Sequence, residues 1–269
     1  MFNSKVFLAE FIGTFALVFI GASSGIVTGG DLVAIALAHG LTLAVIAYAY
    51  GHISGAHINP AVTFGLALQG AVKWGQALVS YWIPQFLAAI AAAFLLKFFL
   101  DPLSAEAFAG AKTVGALNAE YPYYSMVVEA ILTFFLLNTV LHTVVGGKGG
   151  QMAGLAVGLT YTIAILAGGV LSGGSLNPAR TFGPALFTDG WKDPMTYMIY
   201  FLGPLLGSVI AVGAYQFFTS ESQDMDDELE EEEEELEMEP EPIVEEPKPV
   251  VRRTVANHEP VARKTRKKE

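Results

Sequence analysis

The sequence predicts an all-α membrane protein of six transmembrane helices plus two re-entrant half-helices, built as an inverted repeat, and three observations predict it. At 269 residues, 53% of them hydrophobic and with a mean hydropathy of +0.47, the chain is too apolar for a typical soluble domain and long enough for several spans. Long runs without Asp, Glu, Lys or Arg cover residues 11–30, 32–72 and 74–96. One polar stretch occurs twice. His52-Ile53-Ser54-Gly55-Ala56-His57-Ile58-Asn59-Pro60-Ala61-Val62-Thr63-Phe64-Gly65 returns 118 residues later as Val170-Leu171-Ser172-Gly173-Gly174-Ser175-Leu176-Asn177-Pro178-Ala179-Arg180-Thr181-Phe182-Gly183, with eight of fourteen positions identical.

The first span, about 6–28, rests on the twenty uncharged residues between Glu10 and Asp31, enough to cross the hydrocarbon at roughly 1.5 Å per residue. Glu10 interrupts the pattern of a signal peptide, so this span is read as retained. The 41 uncharged residues from Leu32 to Val72 are too long for one helix and are broken by Gly51, His52, Gly55 and His57. They divide into a span at about 31–51, a loop, and a half-helix at about 59–70. A third span follows Lys73 to Leu96, with Pro84 expected to kink it or lie near its start. Residues 98–121 carry Asp101, Glu106, Lys112 and Glu120 and read as a connection outside the hydrocarbon.

The pattern then restarts: Glu129-Ala130-Ile131-Leu132-Thr133-Phe134 echoes Glu10-Phe11-Ile12-Gly13-Thr14-Phe15 at an offset of 119. A fourth span (about 123–145), a glycine-rich turn at 146–150, a fifth span (about 151–170), a second loop with a half-helix at about 177–187, and a sixth span (about 194–218) complete repeat two. Repeat one covers about 5–100 and repeat two about 122–218. Three spans per repeat is an odd number, so the second repeat starts on the opposite face and the repeats are inverted.

Within each loop, Asn before Pro is a helix start: the Asn side chain accepts from orphan amides of the first turn, and Pro at the first helical position lacks the N–H that has no partner there. Loops at membrane depth exist only where they are buried in protein or line a water-filled cavity. The two copies, Asn59-Pro60-Ala61 and Asn177-Pro178-Ala179, therefore read as pore-lining, with their helix N-termini converging near the midplane. Each N-terminus carries about half an elementary charge, so together they oppose cations.

The net charge of −11 is not spread along the chain. Residues 1–219 hold eight acids and seven bases, and residues 220–269 hold the other eighteen acids and eight bases. The segment 220–269, acidic and then basic with five prolines, is expected to be a disordered tail left in the cytoplasm. Lysines elsewhere balance between the two faces, so the positive-inside rule gives no orientation. Cysteine is absent, which removes disulfides, thiolate metal sites and thiol nucleophiles.

Arg180 is the one arginine of residues 1–219 and follows the second motif directly. An intramembrane arginine is functional when it faces water, so the alternatives are a pore wall or a structural pair with a glutamate. Asn59 and Asn177 either orient a passing solute through an amide N–H or serve as caps alone. Glu10 and Glu129 either relay protons or, as we read them, accept hydrogen bonds from buried loop backbone. His39 is equally a core residue or a pore-lining donor. No ligand set surrounds His52 or His57, so no metal site is expected.

With these residues in place the chain resembles the aquaporin family over residues 5–218. The resemblance rests on the two Asn-Pro-Ala motifs, Arg180 directly after the second, Ser-Gly before both, and the paired glutamates Glu10 and Glu129. It implies a homotetramer with one pore per subunit in the lipid bilayer, in the cell membrane, with cytoplasmic termini. Counting from the motifs, it also implies a selectivity filter of His39, Ile165, Gly174 and Arg180, similar to that of plant tonoplast intrinsic proteins. Thr181 and the pair Tyr200 and Phe201 depart from the glycerol-facilitator pattern. The expected function is passive passage of water, with ammonia or other small neutral solutes, excluding protons and ions. No catalysis, cofactor, metal or nucleic-acid partner is implied. The rival readings are a glycerol or small-polyol facilitator, a secondary transporter, which also uses inverted repeats, and a scaffold role carried by the tail, whose partner the sequence does not name.

Overall fold

Caps and breakers decide where the helices begin and end. In the computed structural model, which describes residues 2–102 and 107–238, α1 (Ser4–Val27) starts at Asn3, whose Oδ1 accepts from Lys5 N and Val6 N at 3.0 and 3.3 Å. Asp31 caps α2 (Leu32–Ser54) by accepting from Ala34 N at 2.7 Å. Gly51 and His52 do not break this helix. It continues to Ser54 and ends at Gly55, whose φ of 82° suits a residue without Cβ. The fifth span, α6 (Gly150–Ser172), ends the same way at Gly173, φ 96°. The Ser-Gly before each motif is thus a helix terminator. The half-helices are α3 (Pro60–Leu68) and α7 (Pro178–Leu186), nine residues each, shorter than the 59–70 and 177–187 expected.

The remaining spans are α4 (Trp74–Leu100), α5 (Pro122–Val145) and α8, which spans Pro194–Ser220. Pro84 neither ends α4 nor opens it. A turn of π-helix, Ala77–Trp82, lies just ahead of it, and its equivalent, Met198–Leu202, lies just ahead of Pro204 in α8. A proline has no N–H to give and its ring crowds the carbonyl four residues back, so a widened turn lets the helix continue past it.

Close crossings of the helices require small residues. A Cβ on Gly40 of α2 would collide with Thr162 of α6, and one on Gly158 would stand 2.5 Å from Gly40 O. Helices in lipid associate by such packing, because hydrocarbon offers no hydrophobic drive between them. The half-helices pack on the opposite repeat: α7 rests on α1 and α4, and Ser208 of α8 donates to Ala61 O of α3 at 2.9 Å. Leu17, Leu43, Leu136 and Ile165 are buried inside. Leu8, Ile12, Val45, Phe94, Phe135 and Ile163 are exposed on the outside, as a lipid-facing surface needs.

The connection read as lying outside the hydrocarbon folds onto the helices in its described part: Phe108 and Ala111 pack against Ala22, Ala93 and Leu96, and Ala116 N and Leu117 N donate to the Val170 and Leu171 carbonyls at 2.9 and 3.0 Å. The loop closes over the end of α6 because α6 leaves carbonyls there without helical partners. The tail expected to be disordered from 220 is helical as far as Met238. No Gly or Pro interrupts residues 220–238, and Glu, Leu and Met are good helix formers. The chain divides into units 1–223 and 224–269, and the rest of the tail reading, 239–269, lies outside the described residues.

Candidate pore and selectivity filter

Glu10 of α1 and Glu129 of α5 are fully buried and aimed at the two loops. Glu10 Oε1 accepts from Ser54 Oγ at 2.7 Å and His57 N at 3.0 Å, and Oε2 from Ile58 N at 2.6 Å and Gln85 Nε2 at 2.8 Å. Glu129 repeats the arrangement with Ser172 Oγ at 2.7 Å, Ser175 N at 2.9 Å and Leu176 N at 2.7 Å. The loops need such acceptors because their backbone is strained: Ala56, Ile58 and Leu176 have φ of 49°, 40° and 54°, costing roughly 1–3 kcal/mol each for residues with a side chain. Two tyrosines complete the clamp, Tyr81 OH donating to Ser54 O at 2.8 Å and Tyr200 OH to Ser172 O at 2.5 Å. Both stand in the π-turns, which connects those irregular turns to the loops they hold.

Held in this way, the loops meet. Asn59 Nδ2 donates to Leu176 O and Asn177 Nδ2 to Ile58 O, both at 2.8 Å. Asn59 Oδ1 caps α3 at Ala61 N, 2.9 Å, and Asn177 Oδ1 caps α7 at Ala179 N and Arg180 N, 3.0 and 3.2 Å. An amide has two N–H donors, so each Asn keeps a second one after capping its helix and bridging the loops. Both Asn residues line a cavity of about 530 Å³, whose walls come from α1, α2, α5 and α6 as well as the loops.

A second cavity of about 230 Å³, sharing no lining residue with the first, is lined by Arg180, Ile165, Gly173 and Thr113, whereas His39 and Gly174 line neither of the two. Arg180 Nε donates to His39 Nε2 at 3.1 Å, and Nη1 to Thr113 Oγ1. His39 Nδ1 lies 2.8 Å from Ile35 O, so that nitrogen carries the proton and Nε2 is the acceptor. His39 is fully buried, with no free donor edge toward a solute, which is the packed one of the two placements left open by the sequence. Gly21 makes room for it: a Cβ there would stand 2.6 Å from the imidazole carbons. Gly174, φ 57°, approaches the α6 backbone so closely that a Cβ would meet Gly169 Cα at 3.3 Å and Ile165 Cα at 3.4 Å. Among the described residues no carboxylate forms an ion pair with Arg180.

A family model described as "Major intrinsic protein" matches residues 1–215. The chain belongs to the major intrinsic protein family. Its curated relatives include Aquaporin TIP1-2 of Zea mays, 39% identical, with 79% of this chain and 85% of that protein covered. Aquaporin AqpM of Methanothermobacter marburgensis is 40% identical, covering 81% and 98%, and the Glycerol uptake facilitator protein-like 6 of Lactiplantibacillus plantarum 37% identical, covering 81% and 99%. The fold is that of the aquaglyceroporin from Plasmodium falciparum, TM-score 0.71 at 24% identity, over 79% of this chain and 95% of that one. The family is one of channels, not enzymes, so this major intrinsic protein is a multi-pass membrane channel for small neutral solutes.

One residue of this channel's Arg180 layer escaped the sequence reading. Thr113 comes from the connection read as external, yet it is 6% exposed, accepts from Arg180, and lies 3.2 Å from Thr181 Oγ1. A threonine in a polar loop carries no periodicity to reveal that position. Gln85, which bonds both Glu10 and Thr63, had a faint signal, as a polar residue in an apolar span.

Proposed function

We propose that this major intrinsic protein is a passive channel for water that also passes ammonia and excludes protons, ammonium and other ions. The observation that carries the reading is the pair Asn59 and Asn177: each caps a half-helix, bridges to the other loop and retains one amide N–H beside the larger cavity. Two donors at the convergence of two helix N-termini orient a neutral oxygen or nitrogen lone pair and turn back cations. Arg180, in the wall of the smaller cavity without an acidic partner among the described residues, adds a full positive charge there.

His39, Ile165, Gly174 and Arg180 form the selectivity filter in this reading. Ile165 offers an aliphatic wall to the smaller cavity, Gly174 without a Cβ lets the loop lie against the α6 backbone, and Arg180 provides the donors. Two of the three positions that depart from glycerol facilitators hold the second loop: Thr181 Oγ1 lies 2.6 Å from Ser175 Oγ, and Tyr200 OH bonds Ser172 O. We assign the channel to the cell membrane as a homotetramer with cytoplasmic termini. Stopped-flow light scattering on proteoliposomes, with water, ammonia, urea and glycerol gradients, tests the reading. Water and ammonia fluxes above protein-free controls are expected, and absence of a water flux refutes it.

A further inference from the structure

Two cations share the smaller cavity. Lys112, from the connection between α4 and α5, and Arg180, from α7, both line it, and among the described residues no acid does. An arginine has five N–H donors. Here the one on Nε goes to His39 and one on Nη1 to Thr113, which leaves one on Nη1 and both on Nη2. Arg180 is 9% exposed, and the buried side-chain atoms without a partner, among the described residues, are Thr14 Oγ1, Gln85 Oε1 and Thr133 Oγ1. Nη2 is not one of them, so it opens to the cavity that Arg180 lines. Lys112 is exposed and forms no ion pair among the described residues. A Cβ on Gly190 would stand 3.4 Å from Lys112 Cε, but Asp189, next to that glycine, pairs with Lys192 at 3.1 Å. Asp31, between the lining residues Gly30 and Leu32, caps α2 at Ala34 N. Leu32, Ile35 and Ile165 give the same wall an apolar part.

We propose that the smaller cavity is a binding site for a short-chain monocarboxylate anion, with its carboxylate on Arg180 and Lys112 and its alkyl group against Leu32, Ile35 and Ile165. Two positive groups in the wall of one small space, without a counter-charge, repel each other. An acceptor-only group between them relieves that repulsion and takes the free N–H donors. A carboxylate is planar and matches a guanidinium edge, and its charge-assisted bonds are stronger than neutral ones. The apolar residues favour a short alkyl group over a fully hydrated oxyanion such as sulfate, and a volume of about 230 Å³ keeps that group short. The site itself stands on the cavity alone. Its effect on flux rests on the water-channel reading above, in which Arg180 and Ile165 belong to the filter. A carboxylate bound there takes the donors that Arg180 would offer to water and fills the space beside them, so it slows passage.

Acetate is the probe, acetamide its neutral counterpart of the same shape, and Lys112→Gln the variant. Saturation-transfer NMR on the full chain in detergent reads binding. Stopped-flow water permeability of proteoliposomes reads the effect, with the same solute on both sides and ionic strength held constant by a bulky sulfonate buffer. Acetate is expected to bind and, at about 100 mM, to lower wild-type water permeability about twofold or more; acetamide is expected to do neither. Lys112→Gln is expected to weaken acetate binding about fivefold or more. Absence of saturation transfer to acetate overturns the site, as does acetamide binding as well as acetate, or wild-type affinity in Lys112→Gln. Acetate binding with undiminished water flux would keep the site and overturn its effect on passage. Vesicles that conduct no water under any condition would instead sink the channel reading, and the binding measurements would still decide the site.

Discussion

Replacing Glu129 by Gln changes one oxygen to an amino group and nothing in shape, so it isolates what the carboxylate does. All three of its partners donate: Ser172 Oγ and Ser175 N to Oε1, Leu176 N to Oε2. Whichever way the new amide turns, its NH₂ faces a backbone N–H of the loop and leaves it buried without an acceptor. That orphan costs about 1–3 kcal/mol, and the surviving bonds lose about 1 kcal/mol more in becoming neutral. The expected loss is therefore about 3 kcal/mol, or roughly 6–12 °C in Tm at the usual scale for a domain of this size. Function should fall as well, because Leu176 holds φ 54° only while its N–H is held, and its carbonyl is the acceptor for Asn59 Nδ2. Thermal unfolding of the purified protein in detergent and water permeability in proteoliposomes read the two effects. A Tm shift under about 2 °C, less than 1 kcal/mol on that scale, with normal permeability would refute the view that this carboxylate holds the loop.

Three further predictions follow from the same geometry. Arg180→Val removes a full charge from the wall of the smaller cavity, an interaction of about 1–4 kcal/mol with a passing cation, so proton or sodium conductance in ion-loaded vesicles should rise at least about fivefold; an unchanged conductance would place the whole barrier at the half-helices. Gly40→Ala should sharply lower the yield of monodisperse protein because its Cβ meets Thr162 and the Gly158 carbonyl, whereas Gly213→Ala, whose Cβ meets nothing within 4 Å, should not; equal yields would show that the α2–α6 crossing relaxes freely. Mercuric chloride should leave water flux unchanged, since the chain has no cysteine, and inhibition reversed by a thiol reagent would contradict this.

Much of this channel was legible along the chain because bilayer physics acts on local sequence. Runs without charge mark spans, an Asn before a Pro marks a helix start in any surroundings, and the offset of 118–119 between Glu10 and Glu129, Asn59 and Asn177, exposes the repeat without knowledge of a single contact. The terminators were legible only in part: Ser-Gly stands before each motif, yet Gly51 looks as much a breaker as Gly55, and only the backbone, φ 82° at Gly55, separates them. What the tertiary structure alone decided are partnerships between distant residues. That His39 spends its free nitrogen on Arg180 across 141 positions, that Thr113 reaches Arg180 from a polar connection, and that Tyr161 covers the Ser175 carbonyl leave no periodic trace. The reason is physical. A span is specified by its own transfer free energy into lipid, residue by residue, whereas a buried hydrogen bond is specified by which two groups the packed helices bring within 3 Å of each other.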